Sequence, residues 1–204
     1  CIRNPKIEIS IGIVGKYTDW RDSYKSLSEA LIHGGVANQA RVNVIYIDAE
    51  AVEKGDTTLL RSVDGILVPG GFGERGIEGK IKAIEFARME GVPFFGICLG
   101  MQLAFIEFAR SQCGLDEASS AEFTPQGKMN VIDLMESQKG VTDMGGTMRL
   151  GSYQCTILPK HAGKPTRAFQ AYGKDKINER HRHRFEVSNA FRKQIEAKGL
   201  LVSG

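Results

Sequence analysis

The first hundred residues alternate strand-sized apolar runs with stretches of helical spacing, and that alternation leaves few folds open to the chain. Residues 7–14 pass from alternating to continuous apolar and stop at Gly15. Tyr24, Leu27, Leu31, Ile32 and Val36 then recur at helical spacing, and Gly34-Gly35 near the end predict either fraying or close packing. Residues 41–47 alternate as a strand, and residues 64–68 form a buried strand closed by Pro69-Gly70-Gly71. Ile77, Ile81, Ile84 and Ala87 or Arg88 mark an amphipathic helix that ends at Gly91, and another strand and helix follow across residues 92–102. Repeated β-α-β of this kind predicts an α/β fold, a doubly wound, mostly parallel sheet with right-handed crossovers and flanking helices. Ligands of such sheets gather at the carboxyl ends of the strands.

The pattern changes after about residue 111. Residues 111–128 read as a helix end and a loop, and 129–134 as a strand. Residues 137–146 are polar and glycine-rich, which predicts a mobile loop. Residues 147–158 and 177–187 read as strands, the second interrupted by Arg180-His181-Arg182-His183-Arg184. Residues 189–198 form a helix closed by Gly199, and Leu200-Leu201-Val202 would start a last strand. No internal repeat or linker divides the chain, so residues 1–204 read as one domain. The missing start methionine and the stop at Gly204 within an element suggest a piece of a longer protein, cut at its C-terminal end.

Several function classes are disfavoured by composition. The longest apolar runs are strand-sized, which predicts no membrane span or signal peptide. The net charge is +3, and the Arg/His cluster is bracketed by Glu179 and Glu186, a locally paired face rather than a nucleic-acid patch. Cysteines 1, 98, 113 and 155 have neither zinc nor redox spacing, so free thiols in a reducing cytoplasm are expected.

Chemistry concentrates at Cys98. Gly96-Ile97-Cys98-Leu99-Gly100 places a cysteine between a short apolar strand and a helix, with small neighbours that let the backbone bend, as in a nucleophile elbow. A thiol there feels the helix N-terminus, which favours thiolate. A buried structural cysteine is the plainer alternative. The Leu99 N–H follows the nucleophile and the Gly71 N–H lies in the neighbouring strand-end loop, so both are candidate oxyanion donors. Gly70-Gly71-Phe72-Gly73 has no Lys-Ser/Thr pair and is not a Walker loop. The base is harder to find. His33 and His161 read as surface residues, which leaves His181 and His183, able to share one face of a strand, as provisional candidates.

Gly96-Ile97-Cys98-Leu99-Gly100-Met101-Gln102 resembles the elbow of the class I glutamine amidotransferases, which hydrolyse glutamine to glutamate and ammonia. Further stretches narrow the resemblance to the glutaminase domains of the CTP synthase family and span nearly the whole chain. They are Val14-Gly15-Lys16-Tyr17 with Asp22-Ser23-Tyr24, Pro69-Gly70-Gly71-Phe72-Gly73 with Arg75-Gly76, Glu122-Phe123, Gly145-Gly146-Thr147-Met148-Arg149-Leu150-Gly151, and Glu179-Arg180-His181-Arg182-His183-Arg184-Phe185-Glu186. The resemblance implies that Cys98 attacks the glutamine amide to form a glutamyl thioester, with Gly71 and Leu99 as the oxyanion hole. It implies that Gly100, Met101 and Gln102 line the glutamine site, and that Glu122 and Arg184 hold the ammonium and carboxylate of L-glutamine. It further implies an amidoligase domain in the same enzyme, homo-oligomeric when full length, which uses ATP and Mg to aminate UTP to CTP. GTP would activate it, with Phe72 and residues 137–150 as contributors. No cofactor or metal is implied for this domain.

Two departures from that pattern stand out. No amidoligase sequence precedes residue 1, and the family's His-Pro-Glu segment, which carries the triad His and Glu, does not occur in these 204 residues. The resemblance therefore removes His181 and His183 as triad members and predicts poor turnover by this chain alone. A glutaminase domain of another class I amidotransferase, feeding GMP or anthranilate synthesis, and a non-catalytic glutamine-binding module remain the alternatives.

Overall fold

The computed structural model describes residues 4–16, 21–134 and 149–204, with the side chains of Arg21 and Asp22 left out. Tyr17, the Asp22 side chain, the 137–146 loop and Gly145 to Met148 of the sequence motifs lie outside the described residues. The chain divides into two compact units, Cys1–Glu107 and Phe108–Gly204, with the boundary inside a helix.

The first unit carries the parallel sheet that the alternation predicts. Its strands are β1 (Ile7–Gly15), β2 (Ala40–Asp48), β3 (Gly65–Val68) and β4 (Phe94–Gly96), in the order β2-β1-β3-β4 and all parallel. Between them run α1 (Lys25–Ala37), the short α2 (Ala49–Glu53) and α3 (Ile77–Glu90), and α4 (Leu99–Cys113) follows β4. All four residues of β3 are buried, as expected of a central parallel strand covered on both faces. Ile13, Leu67 and Tyr24 pack together, joined by Leu27 and Leu31 of α1, Val44 and Tyr46 of β2, and Ile97. The Gly34-Gly35 pair resolves in favour of close packing. A side chain at Gly35 would meet Val42 Cγ2 at 2.7 Å and the Ala40 carbonyl oxygen at 2.8 Å, while Gly34 faces open space.

The second unit is built mostly of antiparallel pairs. β7 (Arg149–Thr156) and β10 (Lys176–His183) form a ribbon running from the Thr156–Lys176 pair to Arg149–His183. β11 (Phe185–Val187) pairs antiparallel with β6 (Asn130–Leu134), which also takes β5 (Ser119–Ser120) in parallel. Lys160–His161 and Lys164–Pro165, β8 and β9, close a hairpin through the positive-φ residues Ala162 and Gly163. α5 (Arg167–Tyr172) precedes β10, and α6 (Asn189–Ala197) ends before Gly199, at φ +107°. Ala109, Ala118, Val131, Ile132, Ile157, Ile177 and Ile195 are its buried apolar residues.

Two expectations are corrected here. Leu200 to Val202 start no strand. The segment is irregular, held by the Leu158 N–H donating to the Ser203 carbonyl at 2.7 Å. The strand expected over 177–187, interrupted by the basic cluster, is two strands in two different sheets: Arg180 to His183 lie within β10, paired with β7, and the break falls at Arg184, after which the chain pairs with β6.

Candidate active site

The elbow forms at the carboxyl end of β4. The Ile97 N–H donates to the Val68 carbonyl at 3.0 Å, which ties the strand end to β3, and the Gln102 N–H donates to the Cys98 carbonyl at 3.1 Å, which opens α4. Cys98 lies between them at φ +53°. That left-handed conformation is uncommon for a residue with a Cβ and carries strain, a feature that clusters at functional sites. Its thiol is exposed at the N-terminus of a fifteen-residue helix.

Two glycines make the turn sterically possible. A side chain on Gly96 would sit 2.5 Å from the Gly100 carbonyl carbon, and one on Gly100 would sit 2.1 Å from the Val68 carbonyl oxygen. Strand end, turn and helix start are therefore packed backbone against backbone.

The glycine loop after β3 reaches the same place. β3 and β4 are neighbours with Val68 opposite Gly96, so the segments leaving both strands emerge side by side. A Cβ on Gly70 would lie 3.4 Å from Cys98 Cβ and 4.0 Å from its Sγ, and one on Gly71 would lie 3.7 Å from Leu99 Cδ2. The glycine loop and the elbow thus lie side by side at the carboxyl ends of β3 and β4, with Gly70 beside Cys98 and Gly71 beside Leu99.

The other residues singled out by the sequence fall in several settings. Leu99 is 1% exposed, Gly100 is buried, Gln102 is 4% exposed, and Met101 is half-open to solvent. Phe72 is 74% exposed at the tip of the glycine loop. Glu122 and Arg184 belong to the second unit. The half-buried Glu122 receives its backbone order from its own N–H donating to Ser120 Oγ at 3.1 Å. Arg184 is the half-buried residue between β10 and β11. His181 and His183 do share one face of β10, with rings 5.1 Å apart, and His183 Nε2 pairs with Glu186 at 2.7 Å. Burial first, then the charges of His183 and Arg149, hold His181 below the usual imidazole range. His33 and His161 are exposed, as expected.

Sequence reasoning missed a cationic group beside the loop. Lys16 Nζ donates to the Phe72 carbonyl, and Arg75 Nη2 donates to the Lys16 carbonyl at 2.7 Å while its Nε pairs with Glu50 at 2.9 Å. Lys80 of α3 is 2% exposed, and burial, reinforced by the charges of Lys16 and Arg75, pushes its ammonium down to about 8. The signal was present in the helical wheel. Residue 80 falls on the stripe defined by Ile77, Ile81, Ile84 and Ala87, where a lysine must be buried. Among the described residues no group of His, Cys, Asp and Glu could hold a metal ion.

Over residues 20–204 the sequence matches the family described as glutamine amidotransferase class-I. The CTP synthase of Geobacter metallireducens is 58% identical over 205 residues, an overlap that spans 100% of this chain and 37% of that protein. The CTP synthase of Geobacter sulfurreducens is 55% identical with the same coverage. The chain thus spans about 37% of the length of these relatives. A solved glutaminase domain of Trypanosoma brucei CTPS, with bound acivicin, matches at a TM-score of 0.85 and 35% identity, over 96% of this chain and 74% of that one. With sequence and fold agreeing over nearly its whole length, the chain belongs to the class-I glutamine amidotransferases, as a glutaminase domain of the CTP synthase kind.

Proposed function

We propose that Cys98 is the nucleophile of glutamine hydrolysis and that the ammonia released serves amination of UTP to CTP in a longer enzyme. The observation that carries this reading is the strained, exposed Cys98 at φ +53°, with the Gly70-Gly71 backbone against it. Sγ forms a bond to the side-chain amide carbon of L-glutamine, and the C–N bond breaks as the nitrogen takes a proton and leaves as ammonia. Water then cleaves the glutamyl thioester to glutamate and returns the thiol. The N–H groups of Gly71 and Leu99 stabilise the oxyanion, since backbone donors fixed before reaction need no reorganisation. Gly100, Met101 and Gln102 line the site, Glu122 takes the substrate ammonium and Arg184 its carboxylate, opposite charges suited to an amino acid.

The protein's remaining partners follow from the same reading. The amidoligase part uses ATP and Mg, GTP activates, and Phe72 at the exposed loop tip is its contact on this domain. The enzyme is cytoplasmic and homo-oligomeric. Among the described residues no helix is long and apolar enough to cross a membrane.

The chloroketone analogue of glutamine tests the nucleophile. Sγ displaces chloride and leaves a stable thioether, so one adduct should map to Cys98 by peptide mass. Cys98→Ala should give none, and equal labelling of that variant would refute the assignment.

A further inference from the structure

We propose that Glu186 is a positioning residue for Arg184, a step that rests on Arg184 holding the glutamine carboxylate. Arg184 is the single residue between two strands of different sheets. β10 ends at His183, opposite Arg149 of β7, and β11 begins at Phe185, opposite Leu134 of β6. A one-residue junction makes its φ and ψ a pivot, and the direction of a long side chain there depends on whatever locks the strands on either side.

Glu186 supplies that lock. Its Oε1 accepts from His183 Nε2 at 2.7 Å and lies 3.0 Å from Arg149 Nη1. One carboxylate oxygen on β11 thereby holds the last residue of β10 and the first of β7. A carboxylate only accepts, so His183 carries its proton on Nε2. Arg149 is steadied in turn by stacking over the Tyr153 ring at 5.3 Å, and Tyr153 meets His181 edge-on at 5.5 Å. The brace closes directly across Arg184 from residue 183 to residue 186.

Magnitudes separate this role from a merely structural one. The side chains of Arg149, His183 and Glu186 are 37%, 21% and 32% exposed, so each pair contributes little to folding. A binding group turned out of line loses charge-assisted hydrogen bonds to its ligand, which are the stronger kind, so the loss reads out in affinity.

Labelling of Cys98 by the glutamine chloroketone separates KI from kinact. Glu186→Ala should raise KI about tenfold, the size of one lost charge-assisted hydrogen bond, and leave kinact unchanged, while Glu186→Gln, which keeps an acceptor oxygen, falls between. The rate with iodoacetamide, which has no carboxylate for Arg184, should not change and reports that the elbow is intact. In an Arg184→Ala background, itself raised in KI, Glu186→Ala should add nothing. An unchanged KI in Glu186→Ala, a kinact that falls with it, or additive losses in the double variant would overturn the positioning role while leaving Arg184 in place. If Arg184→Ala itself keeps the parent KI, the assignment of Arg184 to the substrate carboxylate fails first.

Discussion

Replacing Gly100 by alanine tests the claim that the elbow is held by backbone contact. The added carbon would lie 2.1 Å from the Val68 carbonyl oxygen, 2.8 Å from its carbon and 3.0 Å from Val68 Cβ, where ordinary contact begins near 3.4 Å. Val68 is fully buried in the central strand, so the N-terminus of α4 must retreat by more than about 1 Å, and such overpacking costs about 1–3 kcal/mol. The same retreat stretches the 3.0 Å Ile97–Val68 hydrogen bond, worth about 1 kcal/mol net. Alanine's better helix propensity returns about 1 kcal/mol, which leaves a net loss of about 1–3 kcal/mol. Gly34→Ala is the control, because it lies inside α1 with nothing within 4 Å of the new methyl and should gain about 0.5–1 kcal/mol. Urea unfolding followed by circular dichroism would report both, and kinact of the Cys98 label should fall in Gly100→Ala alone. A Gly100→Ala chain as stable as the parent, or stabilised like Gly34→Ala, would show that the strand–helix contact yields and that the reasoning is wrong.

Lys80→Met should raise the melting temperature at pH 7, with a gain that shrinks as pH rises. The folded-state pKa of Lys80 is about 8 against 10.5 for an ordinary lysine, so between those values the unfolded chain binds the extra proton and stability climbs with pH. Differential scanning calorimetry of both chains from pH 7 to 10 would show it, and a constant difference would count against a charged, buried Lys80. Arg88 holds the 2%-exposed Glu107 through hydrogen bonds of 2.8, 3.0 and 3.2 Å, joining α3 to α4. Arg88→Ala should cost about 3 kcal/mol in denaturant titrations by stripping a buried carboxylate of its guanidinium, whereas Arg88→Met with Glu107→Leu should stay within about 1.5 kcal/mol of the parent. Equal losses in the two would refute desolvation as the cause.

The parallel half of the fold was legible because its signals are local. Four strands and the helices α1, α3 and α4 announce themselves by period and by punctuating glycines, β-α-β connectivity leaves one handedness, and only the five-residue α2 is too short to show a period. The second half was legible only in part. Its strands are short and their faces mixed, and the absence of a strand after Leu200 turned on a hydrogen bond from a distant partner, Leu158 to Ser203. At the site, the elbow and the glycine loop could be read as separate motifs and placed at strand ends. Lys80 went unread because an apolar stripe discounts its one charged member.

By itself the sequence determined the parallel α/β architecture, the cysteine on its turn and, through resemblance, the glutaminase family, since each depends on residues near one another in the chain. Tertiary structure decided what depends on residues far apart. The pairing of β3 with β4 brought Gly70 to within van der Waals reach of Cys98, and the packing of α4 on Val68 left Cys98 at a positive φ. The division of residues 177–187 between two sheets likewise turned Arg184 from one member of a charge run into a pivot braced by Glu186. Long-range backbone pairing sets such contacts, and no local propensity encodes them.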